Sequence, residues 1–87
     1  MIVYWIREKH HTDIYTEGYV GISKKPLEER VREHKKNRRN SIVAGKLRAG
    51  KDIIWSVVHE TQTLEDALTL ETQYRPAHLI GWNLQKG

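Results

Sequence analysis

Two charged residues stand where apolar stripes should run. Leu27, Arg30, Val31 and His34 fall at i, i+3, i+4 and i+7, so they share one face of a helix. Leu27 and Val31 must face the interior, which turns Arg30 and His34 the same way. Residues 64–74 repeat the pattern with Leu64, Ala67, Leu68, Glu71 and Tyr74, placing Glu71 in the middle of an apolar stripe. An Arg is rarely buried without a partner. Tyr4 and Tyr19 stand singly in two β runs expected to pair, either as core residues with satisfied hydroxyls or as part of a site. A structural Arg30–Glu71 ion pair would account for both charges. Such pairs contribute little net stability, because desolvation offsets most of the attraction. The other reading is a functional site where guanidinium, carboxylate, imidazole and phenol supply charge stabilisation and proton transfer.

The elements that must position these groups follow from local signals. Residues 2–7 and 18–23 read as strands rich in β-branched and aromatic residues, joined by a polar loop over 8–17. Gly21 inside a strand indicates that something approaches the backbone closely there. Pro26 opens a helix, with Glu28 and Glu29 at its positive end, running to about Lys36 before a turn at Asn37–Asn40. Ser41 can cap a second helix over Ile42–Arg48, ended by Gly50. Asp52–Glu60 reads as a third strand, with Ile53, Trp55 and Val57 alternating against Ile54, Ser56 and Val58. Thr63 caps a last helix, with Asp66 at its third position, which reaches about Tyr74 before Pro76. Gly81–Leu84 is an ordered turn at best. The expectation is an α+β fold of order β-β-α-α-β-α, with helices flanking a small three-stranded antiparallel sheet.

Eighty-seven residues allow one domain, residues 1–87, on the modest core that 38% hydrophobic residues supply. There is no Cys, which removes disulfides and thiolate metal sites and fits a reducing, cytoplasmic setting. No apolar run approaches the roughly 20 residues of a membrane span. The net charge of +4 is unevenly spread. Residues 1–51 carry 13 Lys/Arg against 6 Asp/Glu, and residues 52–87 carry 2 against 5. The basic half is densest at Lys35, Lys36, Arg38 and Arg39, near Lys24, Lys25, Lys46, Arg48 and Lys51. Such a field attracts polyanions and gives affinity without sequence specificity.

Together these residues resemble the GIY-YIG nuclease superfamily over essentially the whole chain. The first motif appears as Ile2-Val3-Tyr4, which keeps the Tyr, and the second as Tyr19-Val20-Gly21. The Arg followed four residues later by a His appears as Arg30 and His34, the metal-binding Glu as Glu71, and the Asn near the domain end as Asn83. The six matches fall in the right order on the right elements and coincide with the misplaced polar residues. Two departures stand out. Ile2 replaces the Gly of the first motif. The stretch 5–18 is longer than usual and holds His10, His11 and Asp13, read as an extended hairpin loop rather than a metal site, because neighbours on an extended chain point apart.

The resemblance implies a metal-dependent DNA endonuclease. Glu71 would hold one Mg²⁺ (or Mn²⁺), since a hard ion that keeps its waters needs only one carboxylate. Arg30 would contact the scissile phosphate. Either Tyr4, with His34 relaying the proton, or His34 itself would activate water. Tyr19 would orient the water or a phosphate oxygen, and Asn83 would brace the site. Lys24, Lys25, Lys35, Arg38 and Arg39 would hold the DNA backbone. The implied partner is DNA, met by a monomer or weak dimer without membrane association, with a DNA-targeting domain attached or separate. Homing, DNA repair and restriction are the roles to choose among, in the cytoplasm or in a host cell if the source is a phage. The reading from another class is a non-catalytic basic nucleic-acid-binding module using Trp5, Trp55 and Trp82.

Overall fold

The hairpin expected at the N-terminus forms the centre of the molecule. In a computed structural model, which describes residues 1–36, 41–50, 52–77 and 79–84, β1 (Ile2–Glu8) pairs antiparallel with β2 (Tyr19–Ser23) and β3 (Ile53–Glu60). The sheet order is β2-β1-β3, so β1 is central. Three helices complete the order: α1 (Leu27–Lys36), α2 (Ser41–Ala49) and α3 (Leu64–Tyr74). The fold is the α+β arrangement that the sequence pattern indicates, with boundaries moved by a residue or so. The expected turn at Asn37–Asn40 and residues Arg38, Arg39 and Lys51 lie outside the described residues. Among the described residues, no helix is long and apolar enough to cross a membrane.

Alternation along β1 divides the core in two. Tyr4 and Ile6 face Val31 of α1 and Val43 and Leu47 of α2, while Val3 faces Val20 and Ala67 on the side of α3. The sheet is thus sandwiched between α1 with α2 and α3. Local chemistry sets the helix ends as expected. Thr63 accepts a hydrogen bond from the Asp66 amide at 3.1 Å, and Gly50 takes a positive φ of 68° just past α2.

The stripe expected on α3 is not the face that docks. Ala67 is fully buried, and Leu70 and Tyr74 pack beside it. Leu64 and Leu68 are 46% and 42% exposed. The small Ala67 side chain lets the helix approach β1 and β2 closely, and this rotates Leu64 and Leu68 outward. Glu71 therefore sits at the border of the packed face rather than at its middle.

The tail is more tightly held than a loose turn, and the agent is Arg75. This residue follows α3 and is completely buried. Its Nε donates to Asn83 Oδ1 at 2.9 Å, Nη1 donates to the carbonyls of Ile14 and Tyr74, and Nη2 donates to those of Glu17 and Gly18 at 2.8 and 3.0 Å. Asn83 accepts a further bond from the Val20 amide and donates to the Val20 carbonyl, both at 2.9 Å, extending the edge of β2 by one side chain. Nearby, the Trp82 amide bonds the Gly18 carbonyl at 2.8 Å. Among the described residues no carboxylate pairs directly with the guanidinium; carbonyl dipoles solvate it, with Asp13 acting from further away.

Replacing Arg75 with Met strands the Ile14 carbonyl, takes one of two donors from each of the Glu17 and Gly18 carbonyls, and is expected to lower the unfolding free energy by about 3 kcal/mol. Asn83→Ala should cost about 1–3 kcal/mol, and Arg75→Lys should recover only part of the loss because an ammonium cannot reproduce the planar fork. Urea denaturation of the three variants measures this; an Arg75→Met protein as stable as the wild type would contradict the assigned role.

Candidate active site

Antiparallel pairing sets Tyr4 opposite Gly21 and Ile6 opposite Tyr19, so both tyrosines project from the face covered by α1. The close approach inferred at Gly21 is the Tyr4 phenol. A Cβ at residue 21 would lie 2.6 Å from Tyr4 Oη, closer than any side chain could be accommodated without displacing the ring. On the other flank the β1–β3 register shifts between Val3 and Tyr4, a bulge beside the residue whose side chain needs aiming.

Helix periodicity then delivers α1. Val31 and His34 are buried against the sheet and Leu27 packs at the edge of the same cluster. Tyr4 Oη lies 2.7 Å from His34 Nε2 in a buried hydrogen bond. The ring of Tyr19 stands edge-on to His34 with centroids 5.0 Å apart, and 6.1 Å from that of Tyr4. Burial first, then the neighbouring Tyr19, pushes the Tyr4 hydroxyl far above the ordinary phenol value, against an opposing pull from Arg30. Burial, reinforced by the positive Arg30, takes His34 down to about 4. Both groups are therefore neutral near pH 7. The imidazole tautomer sets which of them donates in the Oη–Nε2 bond.

Arg30 lies on the same face, about a quarter exposed at its side chain. Its ion-pair partner is Glu33 at 3.8 Å, and Glu33 also meets Lys25 at 3.0 Å. The expected alternative of a structural Arg30–Glu71 pair is not seen among the described residues. Glu71 is half-buried, and burial raises its carboxyl above the usual range. It is close enough to push the Tyr19 hydroxyl up as well. No side-chain hydrogen bond or ion pair holds it among the described residues. A partly desolvated carboxylate beside the Tyr19 phenol fits a hard divalent cation that retains most of its waters.

A groove of about 350 Å³ opens beside Arg30, lined in part by Ser23, Lys24, Lys25 and Glu33. Lys24 and Lys25, singled out in the sequence, thus border Arg30. Lys35 is exposed on α1 and does not line this groove. A larger depression of about 660 Å³ runs along the outer flank of α3 over Leu64 and Leu68 and holds none of the polar groups above. Asn83 touches neither tyrosine; it fixes Val20, next to Tyr19. Two residues went unmarked in the sequence. Glu33 belongs to an ordinary run of helix charges, and Arg75 looks like a basic residue at a helix end. Neither carries a local signal of its role.

Against known proteins, a family model described as the GIY-YIG catalytic domain matches residues 1–83. No curated protein and no solved structure matches the chain.

The depressed His34 value has a consequence for stability. Unfolded, the imidazole titrates near 6.5; folded, at about 4. As pH falls the unfolded chain takes the proton first, so this stabilisation is complete above about pH 6.5 and is lost as pH drops towards 4. Its size is on the order of 3 kcal/mol. Urea unfolding of wild type and His34→Gln at pH 7.5 and 4.5 is expected to show a steeper loss for the wild type; parallel profiles would remove the buried neutral imidazole from the account.

Proposed function

The chain belongs to the GIY-YIG nuclease superfamily, and from that premise we propose that it hydrolyses DNA phosphodiester bonds at the Tyr4–His34–Arg30–Glu71 cluster. The observation that carries this reading is the buried 2.7 Å contact between Tyr4 Oη and His34 Nε2, within electrostatic reach of Arg30, with the Glu71 carboxylate acting on the adjacent Tyr19. A core tyrosine needs a hydrogen-bond partner; here that partner is an imidazole, a group able to take up a proton.

Glu71 would hold one Mg²⁺ or Mn²⁺, which as a Lewis acid polarises the phosphate and eases departure of the 3′ oxygen. The remaining work falls to the chain's own residues. Arg30 contacts the phosphate, where its planar fork matches charge growing on the oxygens. Tyr4 takes a proton from the attacking water as it passes its own hydroxyl proton to His34 Nε2. One proton enters the pair, Tyr4 ends as a phenol again, and His34 ends as the imidazolium. A free phenolate is never required, which removes the obstacle of the raised Tyr4 hydroxyl. The incoming phosphate offsets the positive Arg30 that disfavours protonated His34. Tyr19 orients the water or a phosphate oxygen. Lys24 and Lys25 grip the backbone along the groove and Lys35 at a distance from it, while Arg38 and Arg39 extend the same basic run in sequence.

A non-catalytic binding module is the competing reading. It relied on three tryptophans, yet Trp5 packs in the core with its indole donating to the Glu17 carbonyl at 2.8 Å, and Trp82 is half-buried. Trp55 is the one tryptophan counted among the exposed large side chains.

The test is nicking of supercoiled plasmid with Mg²⁺ and with Mn²⁺. Wild type should cleave, while Glu71→Ala and Arg30→Ala should lose about 100-fold or more in rate with DNA binding changed far less. A folded wild type that binds DNA and cuts nothing, or variants that cut normally, would overturn the assignment. Glu33 supplies an independent check, since it neutralises Lys25 and Arg30 in the groove. Glu33→Gln is expected to tighten DNA binding several-fold and to steepen its dependence on salt; unchanged binding across a salt series would show that DNA does not enter there.

A further inference from the structure

One group of ligating side chains lies apart from this site. β1 ends at Glu8, and the chain turns at once through Lys9 and His10. The sequence reading took this stretch as extended, with its histidines pointing apart. The turn instead folds them together, with the rings of His10 and His11 meeting edge to face at 4.7 Å between centroids. Ligand atoms of Glu8, His10 and His11 lie within 4.8 Å of one another, the one group of three acidic or His side chains to converge in this way among the described residues. Asp13 is not part of it.

The surroundings hold these groups ready. The two oxygens of Glu8 are divided, Oε1 meeting Lys46 Nζ at 2.8 Å and Oε2 facing His10 Nε2 at 3.4 Å. Lys46 thus occupies one carboxylate oxygen and leaves the other turned towards His10. The His11 ring packs edge-on to Trp82 at 5.4 Å, and its Nδ1 accepts from the Glu8 amide at 3.1 Å. That bond puts the ring proton on Nε2, which faces Glu17 Oε2 at 4.0 Å. A ligating histidine usually has this form, with the second ring nitrogen directed at an outer carboxylate.

We propose that Glu8, His10 and His11 form a separate metal site for a borderline first-row ion such as Zn²⁺. It lies roughly 13 Å along β1 from Tyr4, at about 3.3 Å per residue. His11 ligates through Nδ1, exchanging the Glu8 amide for the ion, and His10 and Glu8 Oε2 close onto it by side-chain rotation. Two nitrogens and one oxygen suit Zn²⁺, Co²⁺ or Ni²⁺; Mg²⁺ prefers an all-oxygen shell. The site is open on its solvent side, so water completes the coordination. Bound there, the ion staples the hairpin loop to the end of β1.

Calorimetric titration of the tag-free full chain with Zn²⁺, in the presence of excess Mg²⁺, tests this. Wild type and Glu71→Gln should each bind one Zn²⁺ with the same affinity, and thermal unfolding of both should shift upward with Zn²⁺. His10→Gln, an exposed change that leaves folding intact, should weaken binding at least tenfold, and the double variant with His11→Gln should abolish it. Failure of the wild type to bind would overturn the proposal. So would loss of binding in Glu71→Gln with retention in His10→Gln, which would place the ion at Glu71, and so would binding indifferent to both changes, which would place it elsewhere.

Discussion

A buried guanidinium that pairs directly with no carboxylate among the described residues needs other oxygen atoms brought to it, and the loop, the end of α3 and the tail answer that demand at Arg75. Its donors reach the end of α3, the hairpin loop at Ile14, Glu17 and Gly18, and Asn83 in the tail. Each of these segments also packs an apolar side chain against the core, Tyr74, Ile14 and Trp82. The guanidinium supplies a donor to the Ile14 carbonyl and a second donor to the Glu17 and Gly18 carbonyls, which also accept from the Trp5 indole and the Trp82 amide. Asn83 then passes the constraint to Val20, so that β2, an edge strand of five residues, is fixed on the side where no strand pairs with it. Tyr19 is the neighbour of that fixed residue.

Within this frame, the candidate site separates neutral from charged groups by depth. Tyr4 and His34 lie deepest and are neutral because desolvation moves the phenol up and the imidazole down. Arg30 and Glu71 lie nearer the surface, on either side, and keep partial access to water. This layering resolves the conflict between housing ionisable groups in a small core and keeping the core stable. The inner pair costs little because it is uncharged and mutually hydrogen-bonded, and the outer pair costs little because it is only half-buried.

What the sequence conveys well is whatever local periodicity decides. The face of α1 bearing Val31 and His34 follows from 3.6-residue spacing, and Gly21 in a β run implied an intimate neighbour before that neighbour was known to be Tyr4. Periodicity is weaker on α3, where Leu64 and Leu68 and the Ala67–Leu70 pair define overlapping stripes. The choice between them depends on how closely the helix can approach the sheet, a matter of the small Ala67. Arg75 is opaque because three of its five partners lie some sixty residues upstream and are main-chain oxygens, which carry no residue type. The convergence of Glu8, His10 and His11 is hidden for a related reason: the turn after β1 uses Lys and His rather than the Gly, Pro, Asn or Asp that ordinarily mark one.

The long reach of the Arg75 and Asn83 contacts also bears on how the molecule comes into being. Ile14, Glu17 and Gly18 precede their common donor by 61, 58 and 57 residues, and Val20 precedes Asn83 by 63. A chain growing on the ribosome therefore presents both tyrosines while the frame that holds them is still unmade, and the loop carbonyls must stay hydrated until residue 75 has left the exit tunnel. Closure waits for residue 83. Vectorial synthesis thus delays assembly of the site until nearly the whole domain has been released.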